Sequence, residues 1–151
     1  MADKPAPMSS AEFRTLREAC GLTRVEANDL LGMNSAKAIG IQQWEAGTRS
    51  VSSEGASHIR YLDGLIRERV DSIARPLLSI TDPGTVRLTR YRTREAYEAG
   101  EPEHVAAGLP FACWPATLAR LTDGLARLRI KYVISWDDAV VDATEADSEA
   151  A

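Results

Sequence analysis

Few of the 151 residues are of types that react. The histidines His58 and His104 stand at unrelated positions, the cysteines Cys20 and Cys113 lie outside any C-x-x-C spacing, and no Gly-rich phosphate loop is present. These spacings supply neither a metal-ligand set nor a nucleophile with its base, so no catalytic residue, metal or cofactor is expected. His58 has no Cys or His nearby to complete a metal site. The sequence offers recognition chemistry instead. Lys37, Gln42, Gln43, Arg24 and Arg49 fall in or beside one stretch, Leu16 to Gly47, and carry the donors and acceptors that bind by hydrogen bonding and charge.

Three short helices should position them. Ser9 or Ser10 caps the first, on which Phe13, Leu16 and Cys20 form an apolar stripe with Arg14, Arg17 and Glu18 off it, and Gly21 ends it. Thr23 and Glu26 form a T-x-x-E capping box for a second helix to about Leu31, with Ala27, Leu30 and Leu31 inward. The third helix, capped by Asn34 or Ser35, runs to Glu45. Ile41 and Trp44 face the core, while Ala38 with Gln42, and Ile39 with Gln43, form outer lines. Gln42, Gln43 and Lys37 also fit an ordinary solvated helix face. Gly40 interrupts this helix at about 1 kcal/mol relative to Ala.

Leu16-Arg17, Gly21-Leu22-Thr23-Arg24, Leu30-Leu31-Gly32, Ile41, Trp44-Glu45, Gly47 and Arg49, in that order, resemble the Cro and lambda-repressor type of helix-turn-helix, also called the xenobiotic-response-element family. The likeness spans about a third of the chain and departs from the family in two or three extra residues between Gly32 and Trp44. It implies that the third helix enters the major groove of double-stranded DNA. The implied base-reading residues are Ser35, Lys37, Ala38, Ile39, Gln42 and Gln43, with Lys37 on guanine or phosphate, a glutamine on adenine, and Ile39 on a thymine methyl. Thr23, Arg24 and Arg49 would meet phosphates.

Ile59, Leu62, Ile66, Val70, Ile73 and Leu77 then form a continuous seam on one long helix, which Pro76 should end or kink near Ala74 or Arg75. Part of this seam should bury against the second half of the chain or a second subunit, and Ile66, Val70, Ile73 and Leu77 are its dimer candidates. Asp82-Pro83-Gly84 marks a boundary. Beyond it the pattern predicts a strand over 86–92, a helix capped by Thr93, a loop over 101–110, and a helix from Trp114-Pro115 with Leu118, Leu121 and Leu125 inward. A last strand follows, on which Leu128, Ile130, Tyr132, Ile134 and Trp136 alternate with polar neighbours. Two strands are marginal alone, and pairing across a two-fold axis through Ile130, Tyr132 and Ile134 would satisfy them. Arg87, Arg90, Arg92 and Arg94 around Tyr91 suggest a second nucleic-acid surface, for which RNA is not the favoured ligand; a solvated or acid-paired edge is the simpler reading.

The expected architecture is therefore mainly α: a four-to-five-helix DNA-binding domain with a long joining helix (9–82), a small α+β dimerisation module (83–138) and a disordered acidic tail (139–151). The helix order with Leu88, Tyr91, Glu95, Tyr97 and the Ala/Leu-rich helix resembles the anti-CRISPR-associated autorepressors and their uncharacterised bacterial relatives. That likeness implies a C-terminal module that forms the homodimer, and repression of the protein's own operon from an inverted repeat. The net charge of −4 runs against DNA binding, but residues 137–151 hold six acids and no base, which leaves +2 for 1–136. A 44% hydrophobic content without any run of some 18 apolar residues excludes a membrane span, and MADKPAPMSS lacks the apolar core of a signal peptide, so a cytoplasmic protein is expected. The competing function is an antitoxin-like interaction protein whose C-terminal module and tail hold a partner protein.

Overall fold

The computed structural model of the chain describes residues 7–31 and 35–138, and for residues 35–39 the backbone alone. The acidic tail 139–151 lies outside the described residues. Helix α1 (Ser10–Ala19) is capped by Ser9, whose hydroxyl accepts from Glu12 N at 3.1 Å. Phe13 and Cys20 are fully enclosed. Helix α2 (Arg24–Leu30) starts on the expected capping box: Thr23 Oγ1 accepts from Glu26 N at 3.1 Å and Thr23 N donates to Glu26 Oε2 at 2.7 Å. Ala27 is inward, but Leu30 is exposed, contrary to expectation, because Leu31, four residues after Ala27, takes the inward position and Leu30 lies about 100° around the helix from it.

Helix α3 (Ser35–Ala46) runs unbroken through Gly40. Gly40 is itself buried, and packing against α1 and α2 outweighs its poor propensity. Gly47, at φ 75°, closes α3 with a Schellman turn, in which Gly47 N donates to Trp44 O at 3.1 Å and Thr48 N to Gln43 O at 3.1 Å. Helix α4 (Ser53–Leu78) continues past Pro76 rather than ending before it. Only the final turn lies beyond the proline, and Ser79 Oγ donates to Pro76 O at 2.8 Å to cap it.

Strand β1 (Val86–Arg90) is followed by α5 (Arg94–Gly100), α6 (Pro102–Ala106), a 3₁₀ turn (Phe111–Cys113), α7 (Trp114–Arg127) and β2 (Tyr132–Trp136). Thr93 caps α5 as expected, its hydroxyl accepting from Ala96 N at 3.2 Å. The stretch 101–110 is not all loop, since Pro102 opens α6, a helix too short to show an apolar period. The last strand begins four residues later than expected because Arg129 adopts φ 58°, a left-handed turn that breaks the extended run from Leu128. The strands pair in parallel, Val86 against Tyr132 through Arg90 against Trp136, so α5 to α7 form the crossover between them. Among the described residues the fold is mainly helical with this one small sheet.

One cluster of buried side chains runs from Phe13 and Trp44 through Ile59, Leu62 and Ile66 to Leu118, Leu121 and Leu125. The seam on α4 is thus taken largely by α7 of the same chain. Ile66 is 0% exposed, which corrects its candidacy for a dimer surface; Val70, Ile73, Leu77 and Ile130 are half-buried against the same core. Arg120 ties the halves together, donating from Nη2 to Ala19 O at 2.8 Å and pairing with Asp63 at 2.8 Å. Among the described residues no helix is long and apolar enough to cross a membrane.

Burial also isolates His104. Its ring lies 5.2 Å from that of Trp114, and Nδ1 is buried with no hydrogen-bond partner among the described residues. Desolvation holds the imidazole below its ordinary value, with Arg69 adding to the effect and Glu101 and Glu103 opposing it. A histidine with a depressed folded pKa is protonated first in the unfolded chain, so its effect is to lower stability as pH falls below about 6.5. The melting temperature should decline between pH 7.5 and 5.5, and His104→Phe should flatten that decline. Equal slopes for the two proteins would refute the assignment.

Candidate nucleic-acid interface

The outer side of α2 and α3 carries Arg24, Gln42 and Gln43, three of the candidate recognition residues, and a buried ion pair holds the C-terminal end of α3 against α1. Arg17 sits in the apolar register of α1, four residues after Phe13 and three before Cys20, and is only 7% exposed. It is therefore not off the stripe as the sequence suggests. Arg17 Nε donates to Glu45 Oε2 at 2.9 Å, Nη2 to Glu45 Oε1 at 2.7 Å, and Nη1 to Leu22 O at 2.7 Å. Such a two-pronged contact fixes orientation as well as distance. Arg14 and Arg24 each approach Glu45 Oε1 to 3.9 Å from the exposed side. The sequence signal for this hub was a charged residue in apolar register, which demands a buried partner.

Trp44 completes the clamp. Its ring meets that of Phe13 edge-on at 5.3 Å, and α4 approaches so closely that a Cβ on Gly55 would lie 2.7 Å from the indole. With Ile41 and Trp44 buried, Gln42 and Gln43 are exposed side by side on the opposite face of α3. Gln43 O accepts from Thr48 N and, at 3.3 Å, from Arg49 N, which folds the following turn back so that the exposed Arg49 stays near the end of α3. Arg24 is exposed at the start of α2 beside Val25, an exposed apolar residue that the sequence reading passed over. Thr23 is also exposed; its hydroxyl oxygen is taken by the capping box, leaving the O–H to donate outward. The side chains of Ser35, Lys37, Ala38 and Ile39 lie outside the described residues.

The second basic cluster has a different character. Arg90 and Arg92 stack over the Trp136 ring at 5.3 and 4.1 Å, and Arg92 Nε bonds Asp138 at 2.8 Å. Arg92 is thus acid-paired. Tyr91 is not an open stacking platform: its hydroxyl donates to Glu101 at 2.9 Å and its ring packs on Tyr97 and Trp114. Strand β1 ends at Arg90 and Arg94 opens α5, so Arg90, Arg92 and Arg94 do not share one strand face.

His58 is exposed, with Nδ1 3.0 Å from Glu54 O, and no metal-ligating group of three His, Cys, Asp or Glu occurs among the described residues. Both cysteines are buried free thiols, and desolvation pushes Cys20 to about 11 and Cys113 to about 12. Neither is poised as a nucleophile.

Compared with known proteins, the chain matches no family model and no curated protein. Its functional reading therefore rests on its own residues.

Proposed function

We propose that the protein is a sequence-specific DNA-binding transcriptional repressor that acts as a homodimer on an inverted repeat and controls its own operon. The observation that carries this reading is the presentation of Gln42 and Gln43 on the exposed face of α3, opposite the Trp44 and Glu45 clamp. In this reading α2 and α3 are a helix-turn-helix. Helix α3 lies in the major groove, Gln42 and Gln43 read base edges together with residues 35–39, and Arg24, Arg49 and the Thr23 O–H meet phosphates. Fixed on both sides by buried contacts, α3 loses little freedom on binding, which favours affinity.

Selection of bound duplexes from a random library tests the proposal. An enriched inverted repeat is expected, whereas recovery of unenriched sequence would reject specific recognition. The antitoxin-like reading has one observation in its favour, the exposed apolar residues Tyr132, Val133, Ile134 and Trp136 on β2. A second protein co-purifying in fixed ratio would favour it.

A further inference from the structure

We infer that the free edge of β2 is the dimer surface, and that two copies pair their β2 strands antiparallel about a two-fold axis at Ile134. The four strands then form one sheet ordered β1, β2, β2, β1. This deepens the homodimer reading above and rests on it.

All five residues of β2 are exposed, with Tyr132, Val133, Ile134 and Trp136 between 37% and 42% accessible, so neither face of the strand is fully covered. Parallel strands are ordinarily covered on both faces, and two strands alone are marginal. An apolar edge of this kind is a template for another strand. Just before the strand, the exposed Leu78, Ile80 and Leu128 line a mixed groove with Asp82, Arg129 and Lys131.

Backbone polarity selects the register. Lys131 O accepts from Val86 N at 2.9 Å, and Asp137 N donates to Arg90 O at 2.9 Å, so the odd-numbered residues of β2 turn their backbone groups toward β1. Successive residues alternate, and the N–H and C=O groups of Tyr132, Ile134 and Trp136 therefore face the open edge. An axis at Ile134 places Ile134 opposite itself and Tyr132 opposite Trp136, which engages all three outward residues of each copy. Shifting the strands by two residues leaves one of them unpaired in each copy. Shifting by one sets outward groups against residues already bonded to β1.

The side chains agree with that register. Tyr132 meets the partner's Trp136, an aromatic pair, and Lys131 meets the partner's Asp137, an opposite-charge pair. The segment Lys131-Tyr-Val-Ile-Ser-Trp-Asp137 is self-complementary when reversed, which favours a second copy over an unrelated protein as the occupant.

Sedimentation of the full chain with Ile134→Asp and Ile134→Lys is the test. Wild type should be a dimer, and each variant should dissociate at least about 100-fold more readily, because like charges face each other across the axis. Mixing the two variants should restore a 1:1 dimer. Dimeric variants would overturn the β2 surface while leaving the homodimer standing; a monomeric wild type would reject both. If either variant loses its helical circular dichroism, Ile134→Cys oxidised with diamide decides the matter: a disulfide-linked dimer is expected, and a chain that stays monomeric on a non-reducing gel overturns the pairing.

Discussion

Glu45→Ala should destabilise the fold by about 3–5 kcal/mol, the range for removing one partner of a buried ion pair. The Glu45 side chain is 3% exposed and that of Arg17 is 9%. Without the carboxylate, the Arg17 guanidinium keeps Leu22 O and only the exposed Glu18 carboxylate at 3.8 Å, and a largely desolvated cation remains with Arg14 and Arg24 close by. Replacing both partners together, Arg17→Met with Glu45→Leu, should recover much of the loss, because no buried charge is then stranded. Urea unfolding of the three variants gives the measurement. A loss below about 1 kcal/mol for Glu45→Ala, the scale of an exposed pair, would show that the pair does not hold α3 in place.

On a selected operator, Lys37→Ala combined with Gln42→Ala should weaken binding by about 2–6 kcal/mol, from two base contacts worth about 1–3 kcal/mol each. Gln42→Ala alone should leave binding to scrambled duplex unchanged, since an amide neutralises no phosphate. Lys37→Ala should weaken specific more than non-specific binding. Arg24→Ala and Arg49→Ala should weaken both kinds and reduce the salt dependence by about one counterion each. Anisotropy titrations on operator and scrambled duplex separate these cases. Equal losses for Lys37→Ala and Arg24→Ala on both duplexes would contradict the division into base and phosphate contacts.

The helix starts were legible because they depend on local chemistry. Thr23 with Glu26, and Thr93 with Ala96 N, close hydrogen bonds within one turn, so a short window of sequence contains the whole interaction. The apolar spacing of Leu118, Leu121 and Leu125 was readable for the same reason. What escaped depends on partners remote in sequence. Arg17 falls in the apolar register of α1, but nothing local identifies Glu45, 28 positions away, as the carboxylate that neutralises it. The late start of β2 turns on the left-handed conformation of Arg129, for which a non-glycine residue gives no signal. The seam on α4 does not say whether α7 or a second chain covers Ile66. Of the candidate surface, the exposure of Gln42 and Gln43 was readable from helix period, while the fixing of α3 by Arg17 was not.

Hydroxyl-radical footprinting of the full protein on its selected operator tests the central claim most directly. Two equivalent protected patches should appear on one face of the duplex, their centres about 10 base pairs or a multiple apart, one for each α3 of the dimer. A single asymmetric patch, or uniform protection independent of sequence, would contradict the account.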